Sequence, residues 1–221
     1  AILAQKEPNL VKQIAKDGNE IACHYYFHDH LKNQNEMELK KMLLKAKNTL
    51  EKVCGSEVRG FRAPYFSINK KDHKQYKIVE EFFDYDSSLH CSSLEELNYF
   101  KKRMKLKKLK IIPLYSPSFL NKFRLGGTYL KIFPILYSEK MIMNSLNVGI
   151  KPHIYIHPYE FDNSNEFRVR FSELIKLGLP KALYWKLRQK QWLSFQNNST
   201  KLKLASLIKD NPLEGNLFNV I

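Results

Sequence analysis

Cysteine is scarce in this chain, three in 221 residues. Cys23, Cys54 and Cys91 are an odd set without metal-type or redox-type spacing, which argues against a disulfide framework. Long apolar runs are missing too: no segment reaches the roughly 18 consecutive apolar residues of a membrane-spanning helix. Acidic residues are outnumbered, 22 Asp and Glu against 37 Lys and Arg, which leaves a net charge of +15. No nucleic-acid module signature accompanies that charge, so nucleic acid is not an expected partner. The apolar content of 43% suffices to bury a core, and the length fits one domain with a small appendage.

The densest basic block is Lys101 to Lys110, KKRMKLKKLK. One reading is a patch for peripheral contact with an acidic surface or an anionic polysaccharide. The other is a general bias toward lysine, with Met104, Leu106 and Leu109 followed by Ile111, Ile112 and Leu114 as the solvated entry to a strand.

Helical spacing is plain at Pro8 to Asp17, closed by Gly18, and at Glu36 to Val53, closed by Gly55. Val58 to Phe61 reads as a short strand, and Asn69 as the cap of a helix running to about Phe82. The strand end Asp84 to Ser88 follows. Ile111 to Tyr115 reads as another strand, Phe123 to Tyr129 as a loop, and Pro134 as a helix start. The stretches 166–176, 181–193 and 199–209 are helix-like. Strand, loop and helix in alternation is the pattern of an α/β barrel or parallel sheet.

His24 and His28 stand four residues apart after the apolar run Ile21 to Cys23, at the exit of a predicted strand, where two imidazoles can converge on one metal ion. Imidazole suits zinc and its first-row neighbours. His153 to Ile156 alternates as a strand that would deliver His157 to its rim. His30 is expected on the departing loop, His73 in solvent, and Cys23 on the strand face opposite His24.

Three segments join the histidines in order: Gly60-Phe61-Arg62-Ala63-Pro64-Tyr65-Phe66-Ser67-Ile68, Phe83-Asp84-Tyr85-Asp86-Ser87-Ser88, and Ile154-Tyr155-Ile156-His157-Pro158-Tyr159-Glu160. With them the chain, from about residue 8 to beyond 170, resembles the polysaccharide deacetylases of carbohydrate esterase family 4, the NodB-like domain. The likeness is greatest to a branch found with exopolysaccharide loci. It implies an irregular (β/α) barrel over residues 1–165 with a C-terminal helical extension over 166–221. It also implies a metal-dependent hydrolase that removes N-acetyl groups from an amino-sugar polysaccharide.

By that resemblance His24 and His28 hold a divalent metal, Zn2+ foremost, and the backbone N–H of Tyr65 stabilises the oxyanion, its direction fixed by Pro64. Arg62 orients the base, His157 is the acid for the leaving amine, and Asp86 pairs with His157. Tyr25 and Pro64 are candidate substrate contacts, Tyr25 being equally readable as packing. The family's first motif, a strand ending in paired aspartates that supplies the third ligand and the base, is not found, so the chain is expected to be a fragment lacking its first strand or strands. Asp29 is the internal alternative for that ligand. Two further readings stay open, a hydrolase of another non-peptide C–N bond and an inactive glycan-binding component. The compartment is not legible.

Overall fold

Capping and apolar spacing decide where helices form. In this computed structural model, residues 1–117, 123–162, 164, 166–213 and 215–220 are described. Helices α1 (Ile2–Lys6) and α2 (Pro8–Lys16) open the chain, the second with proline in its first turn. Helix α3 (Glu36–Cys54) starts where the Asn35 side chain accepts from the Glu38 N–H at 2.8 Å. It ends at Gly55, whose φ of 71° and N–H to the Glu51 carbonyl form a left-handed cap. Leu39, Leu43, Ala46 and Leu50 make its buried stripe. Each leucine there is worth roughly 1.5–3 kcal/mol of transfer free energy.

Helix α4 (His73–Phe82) is capped by Asp72. The expected cap, Asn69, lies one turn upstream and accepts from the Lys71 N–H instead. Helix α5 (Leu94–Met104) was not expected. Ser93 accepts from the Glu96 N–H while the Glu96 carboxylate takes the Ser92 N–H at 2.7 Å, a variant of the capping box.

The strands are minimal: β1 (Gly60–Phe61), β2 (Tyr85–Asp86), β3 (His90–Cys91) and β4 (Lys110–Ile111). β1, β2 and β4 are parallel neighbours in that order, and Cys23 adds a parallel bridge to Phe61. Helices α3, α4 and α5 are the crossovers between them, as parallel pairing requires. This is an α/β arrangement. Among the described residues the parallel set runs from Cys23 to β4, and no pair closes it into the expected barrel. The expected strand 111–115 is broken at Pro113, which has no N–H to give.

Contacts divide the chain into two units, 1–114 with 214–221, and 115–213. The sequence had suggested a division at 165. In the second unit lie α6 (Gly127–Ile132), α7 (Ile135–Asn147), α8 (Phe171–Leu174), α9 (Leu179–Leu193) and α10 (Asn197–Asp210). Its core is Leu125, Leu130, Met141, Ile142 and Leu207. The expected strand before His157 survives as one bridge, Tyr155 with Gly126, and the predicted loop 123–129 gives way to α6 at Gly127. No helix among the described residues is long and apolar enough to cross a membrane.

Half of the basic block turns out to be the last turn of α5, where cations suit the helix dipole. The other half is a turn gathered by one carboxylate: Glu80 Oε1 accepts from the N–H groups of Lys107, Lys108 and Leu109 at 2.6, 2.8 and 3.1 Å. Burial works against that charge, but Lys77 and the three amides hold the Glu80 carboxyl down to about 2.

Candidate active site

The parallel ladder sets the level at which each motif leaves the sheet. Cys23 bridges Phe61, Phe61 pairs with Asp86, and Asp86 with Ile111. His24, Arg62 and Ser87 therefore follow register-equivalent residues on three adjacent strands. The Arg62 N–H donates to the Cys23 carbonyl at 2.9 Å, and the Ser87 N–H to the Phe61 carbonyl at 2.8 Å.

On this rim the His24 and His28 rings lie edge to face with centroids 5.0 Å apart. His24 Nδ1 is 2.6 Å from the Arg62 carbonyl oxygen. A carbonyl only accepts, so Nδ1 carries the proton and Nε2 keeps its lone pair, the tautomer a metal-binding imidazole needs. The residue is exposed on one side, yet desolvation pushes its pKa down to about 4; the bond to Arg62 opposes this, and the His28 ring and Arg62 charge add to it. The neutral ring is thus the resting form at neutral pH. Cys23 points inward at 1% exposure, and burial pushes its thiol up to about 11, so it is packing, as expected.

Tyr65 joins the histidines, its ring 4.6 Å from that of His28 and stacked 4.2 Å from that of His30. His30, expected on a departing loop, belongs to this cluster; only its nearness in sequence to His28 hinted at it. Tyr65 and Phe66 both have φ of 53°, and Tyr25 has 66°. Left-handed backbone at three aromatic residues stores roughly 1–3 kcal/mol apiece, and such strain gathers at functional sites. The amides of Phe66 and Ser67 close back on Ala63 and Pro64, whereas the Tyr65 N–H meets no backbone acceptor among the described residues.

Behind the rim is a buried polar brace. The Arg62 side chain donates through Nε to the Ser87 carbonyl at 3.0 Å and through Nη2 to Ser87 Oγ at 2.8 Å. The Ala63 N–H donates to Ser88 Oγ at 2.8 Å, and that hydroxyl donates to Asp86 Oδ2 at 2.6 Å, while Oδ1 takes the Ser88 N–H at 3.0 Å. Asp86 is fully buried; burial raises its pKa to about 6, against the pull of Ser88 and Arg62.

Several expectations need correcting. Tyr25 is 0% exposed, its hydroxyl bonded to Gln34, and Pro64 is buried too, so neither presents a face to substrate. The expected pairing of Asp86 with His157 would join residues of different units; within each unit Asp86 accepts from Ser88 on both oxygens, and the carboxylate beside His157 is Glu160. Glu160 Oε1 stands 3.7 Å from His157 Nδ1, and Glu160 Oε2 accepts the His157 N–H at 2.9 Å. Glu160 is 1% exposed. The motif had displayed it three residues after His157, in capping-box position.

Among the described residues no three His, Cys, Asp or Glu side chains converge as a metal cage, Asp29 included. The donor chemistry of His24 and His28 fits part of a zinc site, two nitrogens of the three protein ligands usual for a catalytic centre.

Residues 2–79 match the family model of polysaccharide deacetylases. A peptidoglycan-N-acetylglucosamine deacetylase of Bacillus cereus is 37% identical over 65 residues, 29% of this chain and 24% of that protein. A bifunctional xylanase/deacetylase of Pseudobutyrivibrio xylanivorans is 30% identical over 61 residues, 28% of this chain and 10% of that one. The matches thus span less than a quarter of these curated relatives. Among solved structures, a candidate polysaccharide deacetylase from Mycobacterium smegmatis aligns over 92% of this chain and 69% of its own, at 20% identity and TM-score 0.47. A family 4 carbohydrate esterase from Streptomyces lividans aligns over 67% and 72%, at 15% identity and TM-score 0.37. The stretch matching the polysaccharide deacetylase family, residues 2–79, is the one that holds His24, His28, Arg62 and Tyr65.

Proposed function

We propose that this chain carries the metal-binding and oxyanion side of a polysaccharide deacetylase, a hydrolase that removes N-acetyl groups from an amino-sugar polymer of exopolysaccharide or cell-wall type. One observation carries the reading: His24 Nδ1 is tied to the Arg62 carbonyl, which readies Nε2 beside His28 and Tyr65. His24 and His28 would hold a divalent ion, zinc by preference of nitrogen donors, which when bound lowers the pKa of a water and polarises the acetyl carbonyl.

The chain's own residues do the rest. The Tyr65 N–H, held by the strained turn, donates to the oxyanion. Arg62, braced on Ser87, keeps the His24 ring in its tautomer through the carbonyl. His157 gives its proton to the leaving amine, with Glu160 fixing the backbone around it. Among the described residues no third His, Cys, Asp or Glu joins His24 and His28 as a ligand.

The test measures zinc binding by calorimetry and acetate release from acetylated chitooligosaccharide, for the chain alone and fused to the first strand-helix-strand unit of a relative. Weak, pH-dependent zinc binding lost in His24→Ala is expected, with acetate release only in the fusion. Zinc-independent release, or release that survives His24→Ala, overturns the reading. Glycan binding by a fusion that never releases acetate would favour the inactive binding component.

A further inference from the structure

Within residues 115–213 lies a cavity of about 450 Å³ that the chemistry above leaves unused. That volume is in the range of small-molecule sites. Tyr129, Tyr155 and Trp192 give it aromatic walls, and Arg124, Arg188 and Gln191 give it polar ones. None of its described lining residues is acidic.

Its key groups are held in place. Lys131, 1% exposed, donates to the carbonyls of Gln191 at 3.3 Å and Trp192 at 2.7 Å, which pins the end of α9 to α6. The Arg188 guanidinium lies 4.2 Å over the Trp192 ring, and its Nη1 donates to Gln191 Oε1 at 2.6 Å. Arg188 Nε is buried and has no hydrogen-bond partner among the described residues. A buried donor without an acceptor is costly, and the guanidinium it belongs to lines the cavity, where its charge can pair with an anionic ligand. Arg124 bonds the Tyr155 hydroxyl, so that ring is fixed as well.

We propose that this cavity binds a sugar unit bearing a carboxylate, as a glycan-anchoring site in the second unit. The choice of a sugar over another ring-bearing anion rests on the deacetylase reading; the cavity's charge and shape do not. Aromatic walls offer flat apolar surface to the C–H face of a pyranose. A guanidinium grips a carboxylate through two parallel bonds, and the Gln191 amide and tyrosine hydroxyls can serve the ring hydroxyls. A neutral sugar gives the guanidinium charge no counterpart. The net charge of +15 further favours an acidic polymer.

Calorimetry on the whole chain, with a galacturonic acid trimer, a neutral galactose trimer and AMP as probes, tests the proposal. The uronate trimer should bind at least tenfold more tightly than the neutral one. Arg188→Gln and Arg188→Lys should each shrink that advantage at least threefold, and Trp192→Ala should weaken both sugars. The preference for uronate over neutral trimer is read with no zinc added, so a failed deacetylase reading leaves this result standing. Equal affinity for the two trimers, no binding, or tighter binding of AMP than of uronate overturns it. So does an unchanged preference in Arg188 variants that melt as the wild type does.

Discussion

Removing the Ser88 hydroxyl probes the brace behind the candidate site. That one oxygen accepts from the Ala63 N–H at 2.8 Å and donates to Asp86 Oδ2 at 2.6 Å, and Ser88 and Asp86 are 0% exposed with Ala63 at 1%. Ser88→Ala strands both partners. A buried polar group left without its partner costs about 1–3 kcal/mol, so the variant should lose about 2–5 kcal/mol at pH 7. Against a typical total of about 5–15 kcal/mol, that is a large fraction. The loss should be smaller at pH 5. Asp86 titrates near 6, so at pH 5 it is protonated in the folded chain and the stranded oxygen no longer carries charge. Urea unfolding at both pH values, with Asp86→Asn and the double variant completing a cycle, measures this. A coupling energy above about 0.5 kcal/mol is expected for residues in one network. A Ser88→Ala chain within about 0.5 kcal/mol of wild type, as surface substitutions usually are, would refute the brace.

Gly60→Ala should destabilise the sheet, because a Cβ there would overlap the Tyr85 ring, whose hydroxyl is held by Glu20 at 2.7 Å; thermal melting reads it, with Tyr85→Phe retaining the effect. Glu80→Gln should cost on the order of 2–3 kcal/mol at neutral pH. Because the folded carboxyl is depressed to about 2, its stabilisation is full above the unfolded value near 4.5 and vanishes as pH falls through 2, so unfolding curves of variant and wild type should converge in acid. The His24 shift has the same sign in a higher window: the folded ring resists protonation until about 4, so stability falls as pH drops from the unfolded value of 6.5 toward 4. Asp86, raised to about 6, gains stability over the overlapping window between 6 and 3.8 on acidification. His24→Gln should therefore make the chain relatively more stable at pH 5 than at pH 7, by chemical denaturation, whereas wild type shows the two trends opposed.

Crossover helix α3 was legible because its signals are local: the Leu39, Leu43, Ala46, Leu50 stripe and Gly55 needed no tertiary context. Helix α5 was not legible although Ser93 and Glu96 carry a capping signature, because its buried stripe is only Leu97, Phe100 and Met104 and its last turn is a run of cations. The strands were overestimated in length. Two-residue ladders leave too little alternation to mark their ends, and flanking apolar residues such as Ile112 and Leu114 are buried without pairing in the parallel sheet. In the site, spacing named His24 and His28 and the family resemblance named Arg62 and Tyr65, but burial decided against Tyr25, and burial is a property of the whole fold. The Ser88 brace was out of reach for the same reason. A serine is too common a residue to stand out until its oxygen is seen between an amide and a carboxylate.

The short parallel ladder acts as a ruler. Adjacent strands stand about 4.8 Å apart, so residues leaving the sheet after Cys23, Phe61 and Asp86 are dealt out at fixed intervals along one edge. A lost or gained residue inside any of these strands would slide one motif past its neighbours and turn each of its side chains to the other face. The same change in a connecting loop is absorbed, since each doubling of loop length costs only about 0.6 kcal/mol. Length variation among relatives is therefore expected between the motifs and not within them. Related sequences whose linkers differ widely in length can then keep His24, Arg62 and Ser87 in step.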